Sequence, residues 1–244
     1  MTPPRPIKAV IFDMDGLILD TEAIFRDVMM EASEARGVTL PEEVFLRMIG
    51  LPDHASRAVA MDHFGDGFDV DGWTAHAWKL ADLRIDAGVP VKAGVPELLG
   101  FLDQAGLRRA ICTSTRHETV ERYLDPIGLL ARFDAVIAAG DYARGKPYPD
   151  PFLTAATRLG VDPADCLALE DSHNGVRAAS AAGMMTVMVP DLLPATDEMR
   201  GLCLAVHVDL HEVAELISRS DHFFRNGSAA RPFRRGATHG RRKK

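Results

Sequence analysis

With 47% hydrophobic and 26% charged side chains over 244 residues, this chain can build one large core, or a core plus a small insert, and its composition excludes a fibrous or wholly disordered protein. No apolar run approaches the roughly 18 residues that cross a bilayer, and the leading MTPPRPIK lacks the apolar segment of a signal peptide, so a cytoplasmic protein with no membrane partner is expected. The formal charge of −7 is unevenly spread: residues 225–244 carry eight Arg and Lys and no acid, which leaves −15 for residues 1–224.

The first predicted element is a buried strand over residues 7–12, a short apolar run centred on Val10 and Ile11. It stops abruptly at Asp13 and Asp15, and Gly16 then releases the backbone. From about residue 20 to 88 the pattern is helical throughout. Ile24, Phe25, Val28, Ala32 and Ala35 share one face of a helix that ends at Gly37. Pro41 with Glu42 and Glu43 opens a second helix. After a break at Gly50–Asp53, residues 54–64 and 70–87 form two more. Trp73, Ala77 and Leu80 lie on one face of the last, as core.

Beyond Pro90 the chain alternates. A helix over Val95–Ala105 is stopped by Gly106, and a strand around Arg109–Cys112 follows. Next come a helix from His117, a strand Ala135–Ala138, a helix Pro151–Leu159 and a strand Cys166–Leu169. A helix Asn174–Gly183, a strand Met185–Val189 and a last helix through Leu210, Val213, Ala214 and Ile217 complete the pattern. Strand–helix alternation implies right-handed crossovers and a parallel sheet covered on both faces. Cys112, Cys166 and Cys203 lack metal-type spacing and fit small apolar residues in a reducing compartment.

In such a sheet, ligands bind beyond the carboxyl ends of the strands. The first strand delivers Asp13 and Asp15 there, the second Thr113 and Ser114, the third leads to Lys146, and the fourth delivers Glu170 and Asp171. Each has an ordinary explanation alone, as a turn, a helix cap or a surface lysine; together they describe one crevice. Paired carboxylates at a buried strand end are costly without a cation, and a hard divalent ion such as Mg²⁺ suits them. The set fits phosphoryl transfer. Asp13 would be the nucleophile and Asp15 the acid and base, Lys146 would offset charge, and Thr113 and Ser114 would hold phosphate oxygens.

Four stretches now carry a resemblance: DMDG at Asp13–Gly16, the Thr113-Ser114 pair, GKPYPDPF at Gly145–Phe152 and LEDSHNGV at Leu169–Val176. Over roughly residues 7–218 the chain resembles the haloacid dehalogenase superfamily, in the branch of β-phosphoglucomutase-like and phosphorylated-carbohydrate phosphatases. While the Gly/Pro/Arg-rich composition of the basic segment 225–244 points to a disordered tail, the resemblance implies a Rossmann-like α/β core with a parallel sheet, at residues 1–17 and 90–224, and an inserted all-helical cap at 18–89. It implies Asp13 as nucleophile and Asp15 as acid/base. Mg²⁺ would be held by Asp13, the backbone carbonyl of Asp15 and Asp171, with Glu170 at or beside the ion. Thr113 and Lys146 would contact the transferring phosphoryl group.

The expected activity is hydrolysis of a small phosphorylated metabolite, a sugar phosphate or a nucleotide, by a monomer. Lys79, the only lysine in the expected cap, is a candidate substrate contact, as is Arg116 after the Thr-Ser pair. The alternatives are a phosphomutase and a non-catalytic binding protein whose tail recruits a polyanion. The mutase reading is weakened at the loop after Gly50, where mutase-like members carry an arginine; this chain has Asp53 there and reaches an arginine only at Arg57. Nucleic acid is not expected as a partner except through the tail.

Overall fold

A computed structural model describes residues 2–49, 51 and 53–220 of the chain. The basic segment 225–244, and Gly50 and Pro52 of the expected break, lie outside the described residues. Six strands, β1 (Ala9–Phe12), β2 (Arg108–Arg116), β3 (Ala135–Ala139), β4 (Cys166–Glu170), β5 (Met185–Met188) and β6 (Ala205–Val206), form one sheet in the order β3-β2-β1-β4-β5-β6. All neighbours are parallel, with Ile11 of β1 opposite Ala110 of β2 and Ala168 of β4.

Alternation along the central strands sends side chains to two different helical layers. Val10, Phe12, Ile111, Leu167 and Leu169 pack with α5 (Val95–Ala105), α6 (His117–Leu124) and α10 (Leu210–Ser218). Ala9, Ile11, Ala110, Cys112 and Ala168 pack with α7 (Asp150–Leu159) and α8 (His173–Ala181). The second layer is rich in alanine on both sides, which lets α7 and α8 approach closely. The strands and helices expected from periodicity are all present. The six-residue helix α9 (Asp197–Leu202) and two-residue β6 were not expected, because neither is long enough to show a period.

Among the described residues, the elements between β1 and α5 are the helices α1 (Thr21–Glu34), α2 (Glu42–Met48), α3 (Asp53–Phe64) and α4 (Val70–Asp86), with isolated bridges at their base. α1 packs on α4, and α2 on α3. Trp73 is fully buried among them; its indole N–H donates to Ser33 Oγ at 2.9 Å, and Phe64 and Phe68 pack edge-on to it or nearly so. This unit joins the sheet through two adjacent segments. Asp20 N–H donates to Pro90 O and Lys92 N–H to Ile18 O, both at 2.9 Å, around a bridge between Leu19 and Val91. Lys92 also reaches Asp191, in the loop after β5, at 2.6 Å. Arg122 of α6 spans to Asp82 (2.8 Å) and Asp86 (2.7 Å) of α4.

Candidate active site

β1 is the switch point of the sheet: β2 and β3 lie to one side of it, and β4, β5 and β6 to the other. Asp13 follows β1 directly, and its N–H donates to Leu169 O at 3.0 Å, which seats it beside the end of β4. Glu170 and Asp171 emerge there. The three carboxylates are 6%, 0% and 9% exposed, respectively. Lys146, from the segment between β3 and α7, inserts its ammonium among them. Nζ donates to Asp13 Oδ1, to Glu170 Oε1 at 2.5 Å and to Cys112 O at 3.0 Å.

One buried ammonium against three buried carboxylates leaves excess negative charge. Burial, and then Glu170 and Asp15, push the Asp13 carboxyl well above the usual range, against the pull of Lys146. Burial followed by Asp13 and Glu170 does the same to Asp171. Burial alone would lower the Lys146 ammonium, but Asp13 and Glu170 outweigh it and hold it charged. Carboxylate oxygens of Asp13, Glu170 and Asp171 all lie within 4.8 Å of one another. An all-oxygen, strongly anionic donor set of this kind suits a hard divalent cation, which would supply the missing positive charge.

Two glycines make room for the cluster. Gly16 has φ +78°, and a Cβ there would stand 2.4 Å from Asp171 Oδ2. A Cβ on Gly175 would fall 1.9 Å from the Glu170 carboxyl, so only glycine lets the first turn of α8 lie against that side chain. Ser172 caps α8 by accepting from Gly175 N–H at 3.1 Å, and its hydroxyl and N–H donate to Glu170 Oε2 at 3.0 and 3.2 Å.

Asp15 turns its carboxylate away from this group toward three hydroxyls. Thr21 donates to Oδ1 at 3.1 Å, and Thr113 and Thr115 donate to Oδ2 at 3.3 and 2.7 Å. Its side chain therefore does not join the three-carboxylate set, and its backbone carbonyl is what remains for a cation. Thr21 and Thr115 are the residues that motif reading passed over. β2 continues past Cys112 to Arg116 through a register shift, and this carries Thr115 to the same carboxylate as Thr113.

The other expected contacts sit further out. Ser114 is exposed and hydrogen-bonds the Tyr142 phenol, whose O–H also donates to Thr113 O at 3.1 Å. Arg116 is exposed at the N-cap of α6. Lys79 is exposed on α4 and is not among the residues lining the cavity between the four inserted helices. That cavity, of about 630 Å³, is bounded by α1, α2, α3 and α4. Glu22, on its wall, is a third residue that sequence reading missed. Burial first, then Asp15 and Asp191, push its carboxyl up to about 7. No helix among the described residues is long and apolar enough to cross a membrane.

Comparison with known proteins agrees with this geometry. The haloacid dehalogenase-like hydrolase family matches residues 7–183. YhcW of Bacillus subtilis (strain 168), which bears a provisional phosphatase name, is 36% identical over 196 residues, covering 78% of this chain and 86% of its own. Hexitol phosphatase B of Escherichia coli (strain K12) is 31% identical over 204 residues, covering 78% and 86%. The crystal structure of CbbY from Rhodobacter sphaeroides in complex with phosphate superposes with a TM-score of 0.68 at 25% identity, over 85% of this chain and 96% of that one. Hydrolase fold, buried carboxylate cluster and relatives named as phosphatases converge: the chain belongs to the haloacid dehalogenase-like hydrolases and is an enzyme of the phosphoric monoester hydrolase type.

Proposed function

We propose that the chain is a Mg²⁺-dependent phosphatase that hydrolyses a small phosphorylated metabolite, a sugar phosphate or a nucleotide, through a phosphoryl group carried on Asp13. The observation that carries this reading is the convergence of Asp13, Glu170, Asp171 and Lys146 at the switch point, with Asp15 two residues from Asp13 and separately held by hydroxyls. Asp13, Asp171 and the backbone carbonyl of Asp15 would hold Mg²⁺, with Glu170 beside it. Bound there, the ion offsets repulsion between an anionic nucleophile and an anionic substrate.

The residues of the chain account for the remaining steps. An Asp13 oxygen attacks phosphorus and forms a P–O bond as the bond to the leaving oxygen breaks. Asp15 gives a proton to that leaving oxygen. Water then attacks phosphorus on the opposite side, Asp15 takes its proton, and the Asp13–phosphorus bond breaks to release inorganic phosphate. Lys146 and the Thr113 hydroxyl stabilise charge on the phosphoryl oxygens. Thr21 of α1 and Thr115 fix the direction in which Asp15 delivers its proton, while the Thr113 hydroxyl turns from Asp15 to the phosphoryl group. Residues 18–89 act as a cap over the substrate and exclude bulk water, hinged where Leu19 meets Val91. We place the protein, as a monomer, in the cytoplasm, to which three free cysteines are suited.

The mechanism is tested by acid-quenching single turnovers and reducing with borohydride, which converts a phosphorylated aspartate to homoserine. Homoserine is expected at position 13 in peptide mass spectra, together with free phosphate in unquenched reactions. Modification at any other residue, or none, overturns the assignment of Asp13. Modification at Asp13 with isomerised substrate and no free phosphate identifies a mutase instead.

A further inference from the structure

The cap cavity, whose polar chemistry the mechanism does not use, says something about the leaving group. Its wall is dominated by Phe25, Met29, Phe45, Trp73 and Trp78. Trp78 is 55% exposed, an unusual position for so large an apolar side chain, and its ring meets Phe25 edge-on at 4.9 Å between centroids. The volume of about 630 Å³ falls within the range of small-molecule sites. Glu22 on its wall follows Thr21, whose hydroxyl donates to Asp15 Oδ1 at 3.1 Å, so this end of the cavity lies beside the catalytic groups. On the same wall, Arg57 donates to Asp71 Oδ2 at 3.1 Å, so this guanidinium is paired with an acid.

We propose that the alcohol released by this enzyme carries an aromatic or otherwise apolar body, seated in the cap cavity among Phe25, Phe45, Trp73 and Trp78 while its phosphate lies against Asp13; this rests on the phosphatase reading above and narrows its substrate class. The polar side chains of the wall other than Glu22 already have protein partners: Ser56 Oγ donates to Met48 O at 3.2 Å, Thr74 Oγ1 to Val70 O at 2.8 Å, and Arg57 to Asp71. An open-chain polyol in the same place would set most of its hydroxyls against phenyl, indole and thioether groups that cannot pair them, and each unpaired buried hydroxyl costs binding. An aromatic body meets no such cost and gains ring contacts. Discrimination in an apolar site is modest per methylene but accumulates over a ring.

The test compares substrates whose leaving alcohols are alike in basicity: 2-phenylethyl phosphate and 2-(indol-3-yl)ethyl phosphate against glycerol 3-phosphate and sorbitol 6-phosphate. The expected result is a kcat/KM about tenfold or more higher for the aromatic pair. Trp78→Ala should lower that ratio about fivefold, and Trp78→Phe should largely restore it. Trp73 and Trp78 are the only tryptophans in the chain and both line the cavity, so intrinsic fluorescence reports its occupancy independently of turnover. A non-hydrolysable 3-phenylpropylphosphonate should shift the emission saturably, and a polyol phosphonate should not.

Turnover with equal or greater preference for the polyols, and no fluorescence response to the aromatic phosphonate, overturns the inference while leaving the phosphatase reading intact. A saturable fluorescence response with no phosphate released from any substrate leaves the cavity assignment standing and removes the phosphatase reading. Neither response nor turnover overturns both.

Discussion

Glu22 carries a pH dependence with a definite sign. In the folded chain its carboxyl keeps its proton to about pH 7, against an ordinary value of 4.5. Between those values the native state binds more protons than the unfolded state, so this group's contribution to stability falls as pH rises through that window. Glu22→Gln cannot titrate. The variant should gain on wild type as pH goes from 5 to 8, by at most about 3 kcal/mol. Urea unfolding in chelator at both pH values measures the difference; a constant offset would show that Glu22 ionises freely in the fold. Asp15 poses a separate question at the same scale. Thr115 gives it its shortest hydrogen bond, at 2.7 Å. Thr115→Val keeps the shape and removes the donor, so kcat should fall about tenfold with KM nearly unchanged. A rise in KM at constant kcat would make Thr115 a ground-state contact instead.

At the scale of elements, the helical insert α1–α4 is held together by a buried indole. Ser33 sits in the last turn of α1, donates to Met29 O at 2.8 Å and accepts from Trp73 of α4 at 2.9 Å, so one hydroxyl joins the two helices. Ser33→Ala leaves that indole N–H buried without a partner and should cost about 1–3 kcal/mol in urea unfolding. An unchanged midpoint would mean that α1 and α4 are held by apolar contact alone. The strand ends were legible in the sequence because each short apolar run stops abruptly: Phe12 before Asp13, Leu169 before Glu170. Thr115 was not, because the register shift after Cys112 breaks the simple alternation that would have paired it with Thr113. Glu22 and Thr21 were hidden for another reason. They belong to the first turn of a helix, and only the return of the chain at Leu19 and Val91 brings that turn over the strand tips.

For the whole molecule, helical insert and parallel sheet were both readable from periodicity, since one stretch of some seventy residues lacks any strand signal and the rest alternates. The cavity between the cap helices was not readable, because it depends on how α1 and α4 pack against α2 and α3 and not on any run of residues. The same holds for Arg122, whose fork onto Asp82 and Asp86 ties core to cap across a sequence gap that no local pattern spans. The structure thus places a three-carboxylate cluster and its lysine on the rigid sheet, and an apolar chamber on the helices above it. Chemistry is assigned to the first and choice of leaving group to the second.

The most direct measurement of the central claim is phosphate release from a panel of sugar, nucleotide and arylalkyl phosphates, with Mg²⁺ and with chelator, for wild type and Asp13→Asn. Release that requires Mg²⁺ and falls by at least about a thousandfold in Asp13→Asn is the expected result. Release that persists in chelator, or that survives in a folded Asp13→Asn protein, would contradict the assignment of a metal-assisted phosphatase acting through Asp13.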